Sequence, residues 1–324
     1  MIRVTFLGTA ASRPTVGRNV SGISIHREGE SFLFDCGEGT QRQMMRFGTG
    51  FALDAIFITH LHADHFLGLI GLTRTLSLQG RTDTLRIYGP RGSTRSLLDA
   101  VHLGVDRIAF PVQVEELEPG EEAIKTEEYS IAAYSSRHGV SSVGYVLREH
   151  PRPGRFDVEK ARELGVPEGP LFGRLHAGEP VVAAGREIRP EEVVGPPRAG
   201  RTIVYTGDTR PCRETEEVAR GADLLIHDAT FGEDEVKRAH ETFHSTGRGA
   251  ALLARRAKVR RLVLTHLSAR YAANALPIER EAREVFPETK VAYDGLVVEV
   301  PFREDEVEKE ERPVLKNARR GGSE

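Results

Sequence analysis

The sequence predicts a mixed α/β protein with two sheet-rich halves, not one doubly wound parallel sheet. Three observations carry that expectation. Short runs rich in Val, Ile, Phe and Thr, punctuated by Gly, Pro, Asn and Asp, dominate the first 60 residues and return near the end. Stretches with helical spacing follow some of these runs. Between the two halves, residues 148–198 break the pattern.

In chain order, IRVTFLG from Ile2 opens as a strand, followed by GISIHRE from Gly22 and SFLFDCG from Ser31. The run ALDAIFITH, ending at His60, makes a fourth. FLGLIGLTRTLSLQ, just after His65, spaces its apolar residues as a helix does. A second set of strands is read in LRIYGP, YSIAAYSS and SVGYVLRE. A third is read in TIVYTGD, DLLIHDAT, RLVLTH and GLVVEV, with a helical pattern over 245–257. Residues 148–198 hold 8 of the 17 prolines and 7 glycines with only short apolar runs. Such a stretch is either an insertion the fold tolerates or an arm that touches a large substrate. The charged end, 303–324, reads as a frayed or disordered tail outside a body formed by 1–302.

The length allows one large or two ordinary domains, and 39% apolar residues plus 33 glycines is ordinary globular composition. Lys+Arg (45) nearly balance Asp+Glu (48), so any nucleic acid must be held by a local basic patch. Two cysteines, Cys36 and Cys212, cannot form a disulfide scaffold, and their scarcity fits a reducing compartment. Neither has a partnering acid–base pair evident from spacing. No run approaches the roughly 18 apolar residues of a spanning helix. The N-terminal residues enter a strand directly and lack the features of a signal peptide. The expectation is a cytoplasmic protein without a membrane partner.

The strongest chemical signal is HLHADH, residues 60–65, ending the strand over 54–59. His60 and His62 project to one side of extended backbone. Asp64 and His65 diverge unless the chain turns sharply into the next helix. Four such ligands within six residues are too many for one tetrahedral ion with an open position. They suit two ions, with His60 and His62 on one and Asp64 and His65 on the other. Further ligands are expected at other strand ends, where His138, Asp208 and His266 each terminate an apolar run. Asp208 suits a bridge, because a carboxylate offers one oxygen to each ion. Two adjacent metals point to hydrolysis, especially of phosphodiesters.

These residues resemble the metallo-β-lactamase superfamily, and more closely its short-form ribonuclease Z family. The resemblance covers roughly residues 1–300. It is carried by FLGT, PTVGRNVS, LFDCGEGTQRQ, HLHADH, YTGDTRPC, LIHDATF, HSTG and LTHLSARY. It implies a four-layer αββα sandwich and a metal-dependent endonuclease that removes the 3′ trailer of precursor tRNA. It also implies two zinc ions per subunit, with Mn or Fe as possible substitutes. His60, His62 and His138 would hold one ion, Asp64, His65 and His266 the other, and Asp208 would bridge. By the same resemblance Asp64 would double as the general base, and His244 of the HST motif would be the general acid. Asp228 stands where the family usually has glutamate and would hold His244. The family further implies a homodimer in which 148–198 is a tRNA-gripping arm; within it, 169–178 has no acidic residue and sets glycines near Arg174, which is expected to contact phosphate. Arg18 and Arg270 could meet phosphate, Asn19 belongs to the same loop as Arg18, and Tyr271 could stack on a base. Asp35 and Glu38 would order the loop beneath the metals. Another hydrolase of the superfamily, acting on a small phosphodiester or sulfate ester, is the alternative.

Overall fold

The computed structural model describes residues 1–104 and 107–303. All of the expected charged tail beyond Arg303 lies outside the described residues. The strands are β1 (Ile2–Gly8), β2 (Gly22–Arg27), β3 (Glu30–Cys36), β4 (Ala55–Phe57), β5 (Leu85–Pro90), β6 (Val112–Leu117), β7 (Glu122–Lys125), β8 (Tyr129–Ser135), β9 (Val143–Glu149), β10 (Val181–Ala183), β11 (Arg186–Ile188), β12 (Thr202–Tyr205), β13 (Leu224–Asp228), β14 (Leu262–Thr265), β15 (Thr289–Val291) and β16 (Val297–Val300). The α-helices are α1 (Thr40–Phe47), α2 (Ala63–Phe66), α3 (Leu69–Leu78), α4 (Thr94–His102), α5 (Val158–Glu163), α6 (Pro170–His176), α7 (Pro190–Val193), α8 (Arg213–Val218), α9 (Val236–Glu241), α10 (Gly247–Ala257) and α11 (Leu276–Arg283).

The chain divides into two compact units. One is Met1–His150 with Arg201–Val300; the other is Pro151–Gly200 with the segment that begins at Pro301. In the first unit, the described residues form two seven-stranded sheets, ordered β16-β1-β2-β3-β4-β5-β6 and β15-β14-β13-β12-β9-β8-β7. Strand periodicity explains the layers. On β3, Phe32 and Phe34 enter the core between the sheets, where Phe57, Tyr145 and Tyr205 join them. Leu33, between them in sequence, faces the opposite side with Leu69, Leu72 and Leu97 from α3 and α4. On β13, Leu224 and Ile226 face the sandwich interior, while Leu225 packs with Ala250, Leu253 and Ala254 of α10. Helix, sheet, sheet and helix thus form the four-layer αββα sandwich.

Each sheet contains a parallel run, β3-β4-β5-β6 in one and β12-β13-β14-β15 in the other. Parallel pairing brings the carboxyl ends of successive strands to one edge, and the loops that leave them carry the candidate ligands.

Some strands differ from the sequence expectation. β4 is shorter than the apolar run over 54–59, because the Thr59 amide donates to the Asp35 carboxylate at 2.8 Å instead of to a strand. β6 and β7 were not evident from the sequence. Both are glutamate-rich and lie at sheet edges, where one row of backbone groups stays unpaired and charge is tolerated.

The Pro/Gly-rich stretch carries its own small fold. Its described elements are α5, α6, the β10–β11 hairpin and α7, around Ala161, Val166, Leu175, Val181, Ile188 and Val193. Ala184 and Gly185, both at positive φ, make the tight hairpin turn. Short apolar runs therefore suffice for a local core, although they showed no periodicity over a long window.

Candidate metal centre

The HLHADH segment follows β4. Residues up to His62 are extended, and His62 is the N-cap of α2. That change of backbone lets His60, His62, Asp64 and His65 converge despite adjacent numbers. The turn needs room: a Cβ on Gly37 would sit 2.3 Å from the Asp64 carbonyl. Across the sandwich, Gly207 has φ +57°, and a Cβ there would meet that of Thr59 at 2.7 Å. Glycine at 207 lets Asp208 approach from the end of β12. His266 follows β14 with φ +60°, a conformation that costs a residue bearing a Cβ and that recurs at functional sites.

Two donor sets result. The Nε2 of His60 lies 3.0 Å from the Nδ1 of His62, which lies 3.2 Å from the Nε2 of His138. Asp208 Oδ2 is 3.6 Å from His60 Nε2 and 4.0 Å from His138 Nε2. In the second set, His266 Nε2 is 3.3 Å from Asp64 Oδ2 and 3.4 Å from His65 Nε2. Asp208 Oδ1 is 3.4 Å from His65 Nε2. Asp208 therefore directs one oxygen to each set, and Oδ1 is buried without a hydrogen-bond partner among the described residues.

The outer ring nitrogens decide which lone pairs face inward. His65 Nδ1 donates to Asp35 Oδ2 at 2.8 Å, His266 Nδ1 to Thr230 Oγ1 at 2.9 Å, and His138 Nδ1 to the Phe243 carbonyl at 3.3 Å. His60 Nδ1 faces Thr59 Oγ1 at 3.1 Å, while that hydroxyl donates to Asp35. Each of these rings thus presents an unprotonated Nε2 to its set. The Nε2 lone pairs of His65 and His266 then face each other at 3.4 Å, and a divalent cation between them removes the conflict. Burial, with His65 nearby, drives His60 well below the ordinary imidazole pKa and leaves it in its ligand form. Burial also opposes charge on His65, but Asp208, Asp35 and Asp64 outweigh it and raise that pKa well above the usual value. The same three carboxylates would be satisfied by a metal in place of the proton. The donor set fits metal binding.

Asp35 is the support that the sequence placed beneath the metals, but only the fold shows the extent of its role. It is fully buried at φ +56° and accepts from the Thr59 amide and hydroxyl, from His65, and from the Tyr205 hydroxyl at 2.7 Å. Asp35→Asn is expected to weaken metal affinity about 10- to 100-fold, because the amide cannot accept from all of these donors. Chelator competition with zinc checks this, and an unchanged affinity would refute it.

His244 lies beside the candidate ligands His138 and His266. Its Nδ1 is 2.7 Å from Asp228 Oδ2, so the aspartate closes the gap despite being shorter than glutamate. Burial disfavours the His244 cation, but Asp228 outweighs it and raises the ring to about 9. Ser245 fixes the position by donating to the Thr209 carbonyl at 2.7 Å, and Thr246 caps α10 by accepting from the Gly249 amide. Thr230, which the sequence reading missed, donates to Asp228 Oδ1 at 2.8 Å and so joins His266 to the His244–Asp228 pair. Its place in HDAT, two residues beyond the strand-end Asp228, was the available signal.

The residues expected to meet substrate have partners within the chain. The Arg18 guanidinium donates to Thr9 Oγ1 and the Ala292 carbonyl, both at 2.7 Å. Asn19 Nδ2 donates to the Glu38 carbonyl at 2.9 Å. Asp294, also missed, accepts from Thr9, the Asn19 amide and Gln43 and so orders this loop. Arg270 pairs with Glu235, and the Tyr271 hydroxyl donates to Asp234 at 3.1 Å. In the second unit, Arg174 pairs with Glu179 at 2.9 Å.

Residues 2–140 match the sequence family described as "Anti-Pycsar protein Apyc1", and residues 183–267 the "Beta-lactamase superfamily domain". The chain is 54% identical over 304 residues to a ribonuclease Z of Gemmatimonas aurantiaca, covering 93% of this chain and 97% of that one. It is 54% identical over 307 residues to a ribonuclease Z of Haloferax volcanii, covering 94% and 97%. Its fold is similar to that of the crystal structure of human tRNase Z, short form, with a TM-score of 0.68 and 29% identity. That match covers 93% of this chain and 100% of the human one.

Proposed function

This chain belongs to the ribonuclease Z family, and from that premise we propose that it is a zinc-dependent endoribonuclease that removes the 3′ trailer from precursor tRNA, leaving a 3′-hydroxyl on the tRNA and a 5′-phosphate on the trailer. The observation that carries the reading is a pair of donor sets sharing one carboxylate, in a chain alike to ribonucleases Z over 93% of its length.

His60, His62 and His138 would hold one zinc ion, and Asp64, His65 and His266 the other, with Asp208 shared. Bound there, two such ions would acidify a water and neutralise charge on the phosphate. The chain supplies the remaining chemistry. Asp64, whose Oδ2 accepts from the Ser12 amide at 2.6 Å, orients the attacking water and takes its proton. As the water oxygen bonds to phosphorus, the bond from phosphorus to the 3′ oxygen breaks. His244, charged and held by Asp228, hands its proton to that leaving oxygen. Arg18, Asn19, Arg270 and Tyr271 would exchange their present partners for RNA. Arg174 would contact phosphate from the arm over 148–198. Family membership also supports a homodimer in which each arm serves the other subunit's site, and cytoplasmic action on tRNA. Among the described residues, no helix is long and apolar enough to cross a membrane.

The test incubates zinc-loaded protein with a 3′-extended precursor tRNA and maps the cut. One cut at the trailer junction is expected, and His244→Ala should slow it about 10²- to 10⁴-fold with metal content unchanged. Turnover of small phosphodiesters alone would overturn the tRNA assignment and leave the metal centre standing.

A further inference from the structure

Phe243 sits between the two chemical groups of the site. Its carbonyl accepts from the ligand His138 at 3.3 Å, and the next residue is His244. Its backbone is left-handed, with φ +60°, where glycine or asparagine would be less strained. The residue is 38% exposed and belongs to none of the apolar cores among the described residues. Neither the backbone nor the packing explains an aromatic residue here.

The surroundings do suggest a use. The Arg210 guanidinium lies over the ring, 4.2 Å from its centroid. That arginine is held by its amide bond to the Arg137 carbonyl and by His240 Nε2, 3.3 Å from Nη1. Along the ring edge runs the bare backbone of Gly139, where an added Cβ would already lie 3.4 Å from Cδ2. A longer side chain at 139 would cover the ring, so glycine keeps it open. The ring thus has a cation over one face, belongs to a residue that stays partly exposed, and is one residue from the proton donor.

We propose that Phe243, backed by Arg210, is a stacking platform for the base of the nucleotide immediately 5′ of the cut. The inference rests on the ribonuclease Z reading, in which His244 protonates the 3′ oxygen of that nucleotide. The base on the same ribose must then lie within one nucleotide of the Phe243 ring. Every base presents a π face, so stacking grips this nucleotide whatever its identity, with purines favoured by their larger area. A hydrogen-bonding side chain here would instead restrict the enzyme to some precursors.

The experiment measures kcat/KM for Phe243→Leu and Phe243→Tyr on two precursors. One carries a normal base at the nucleotide before the cut, and the other is abasic there. On the normal precursor, Phe243→Leu should lose about 5- to 150-fold, and Phe243→Tyr should retain the wild-type value. The wild type should lose a similar factor on the abasic precursor, and Phe243→Leu should lose nothing further. If the Phe243→Leu loss persists undiminished on the abasic precursor, the ring acts through His138 or His244 and the proposal fails. It fails equally if the variant loses nothing on either. A wild-type protein that leaves the normal precursor uncut would overturn the ribonuclease Z reading, and this inference with it.

Discussion

Asp208→Ala is expected to abolish paired metal binding and to cost more activity than the about 10²- to 10⁴-fold lost with a single proton donor. The reason is geometric. Asp208 is 3% exposed, with Oδ2 turned toward His60 and His138 and Oδ1 toward His65. Alanine would leave the first set with three neutral imidazoles and the second with one carboxylate, Asp64. Both sets lose the charge that offsets two neighbouring dications, so neither ion is held as before. Asp64→Ala strips only the second set, and the two variants should differ in metal content. Metal analysis after dialysis reads this directly. Unfolding gives an independent measure: zinc at about 100 times its Kd stabilises the wild type by about 2.7 kcal/mol, and that gain should vanish in Asp208→Ala. A variant that retains two ions per chain would show that Asp208 is not shared.

The candidate site was legible in sequence because the residues that could bind metal end apolar runs. His60, His138, Asp208 and His266 each follow a readable strand, and the fold brings those strand ends to one edge. A long-range arrangement was thereby encoded in a local pattern. What supports the ligands was less legible. Thr230 lies 36 residues from His266, and Tyr205 lies 170 from Asp35; neither residue type singles itself out for such a contact. Arg18 exposes a different limit. The family pattern implies a phosphate contact for Arg18, whereas the partners its guanidinium has here, Thr9 and Ala292, are supplied only by the fold. The edge strands β6 and β7 escaped for the opposite reason, since their glutamates mask the alternation that identifies an inner strand.

Replacing Glu149 should destabilise the protein strongly, at a point far in sequence from the candidate ligands of the HLHADH loop. Glu149 ends β9 and Arg201 precedes β12, so the two flank the inserted unit over 151–200. Arg201 donates to Glu149 through Nε and Nη2, both at 2.7 Å, and the Glu149 amide donates to the Arg201 carbonyl at 2.9 Å. Arg27, on β2 of the other sheet, adds a bond at 3.0 Å, and Arg201 also donates to the Val300 carbonyl on β16. The network closes the roots of the insertion and ties the two sheets together. The side chains of Glu149, Arg27 and Arg201 are only 4%, 6% and 1% exposed. Glu149→Ala removes the anion shared by two buried guanidinium groups; Arg27 keeps Glu30 and Glu128 and Arg201 keeps Glu28, so a loss of about 3 kcal/mol, the low end for breaking a buried pair, is expected. Denaturant unfolding at pH 7 measures it, and a loss under about 1 kcal/mol would show that solvent replaces the carboxylate. The pH dependence follows from the sign of the shift. Burial disfavours the Glu149 anion, but Arg201 and Arg27 outweigh it and hold the pKa below the usual glutamate value. The stabilisation is therefore complete above the ordinary value near 4.3 and is lost as pH falls through the lower, folded value. The gap between wild type and Glu149→Gln should narrow in acid and stay constant from pH 6 to 8. A gap that persists once the carboxylate is protonated would assign the effect to packing, not charge.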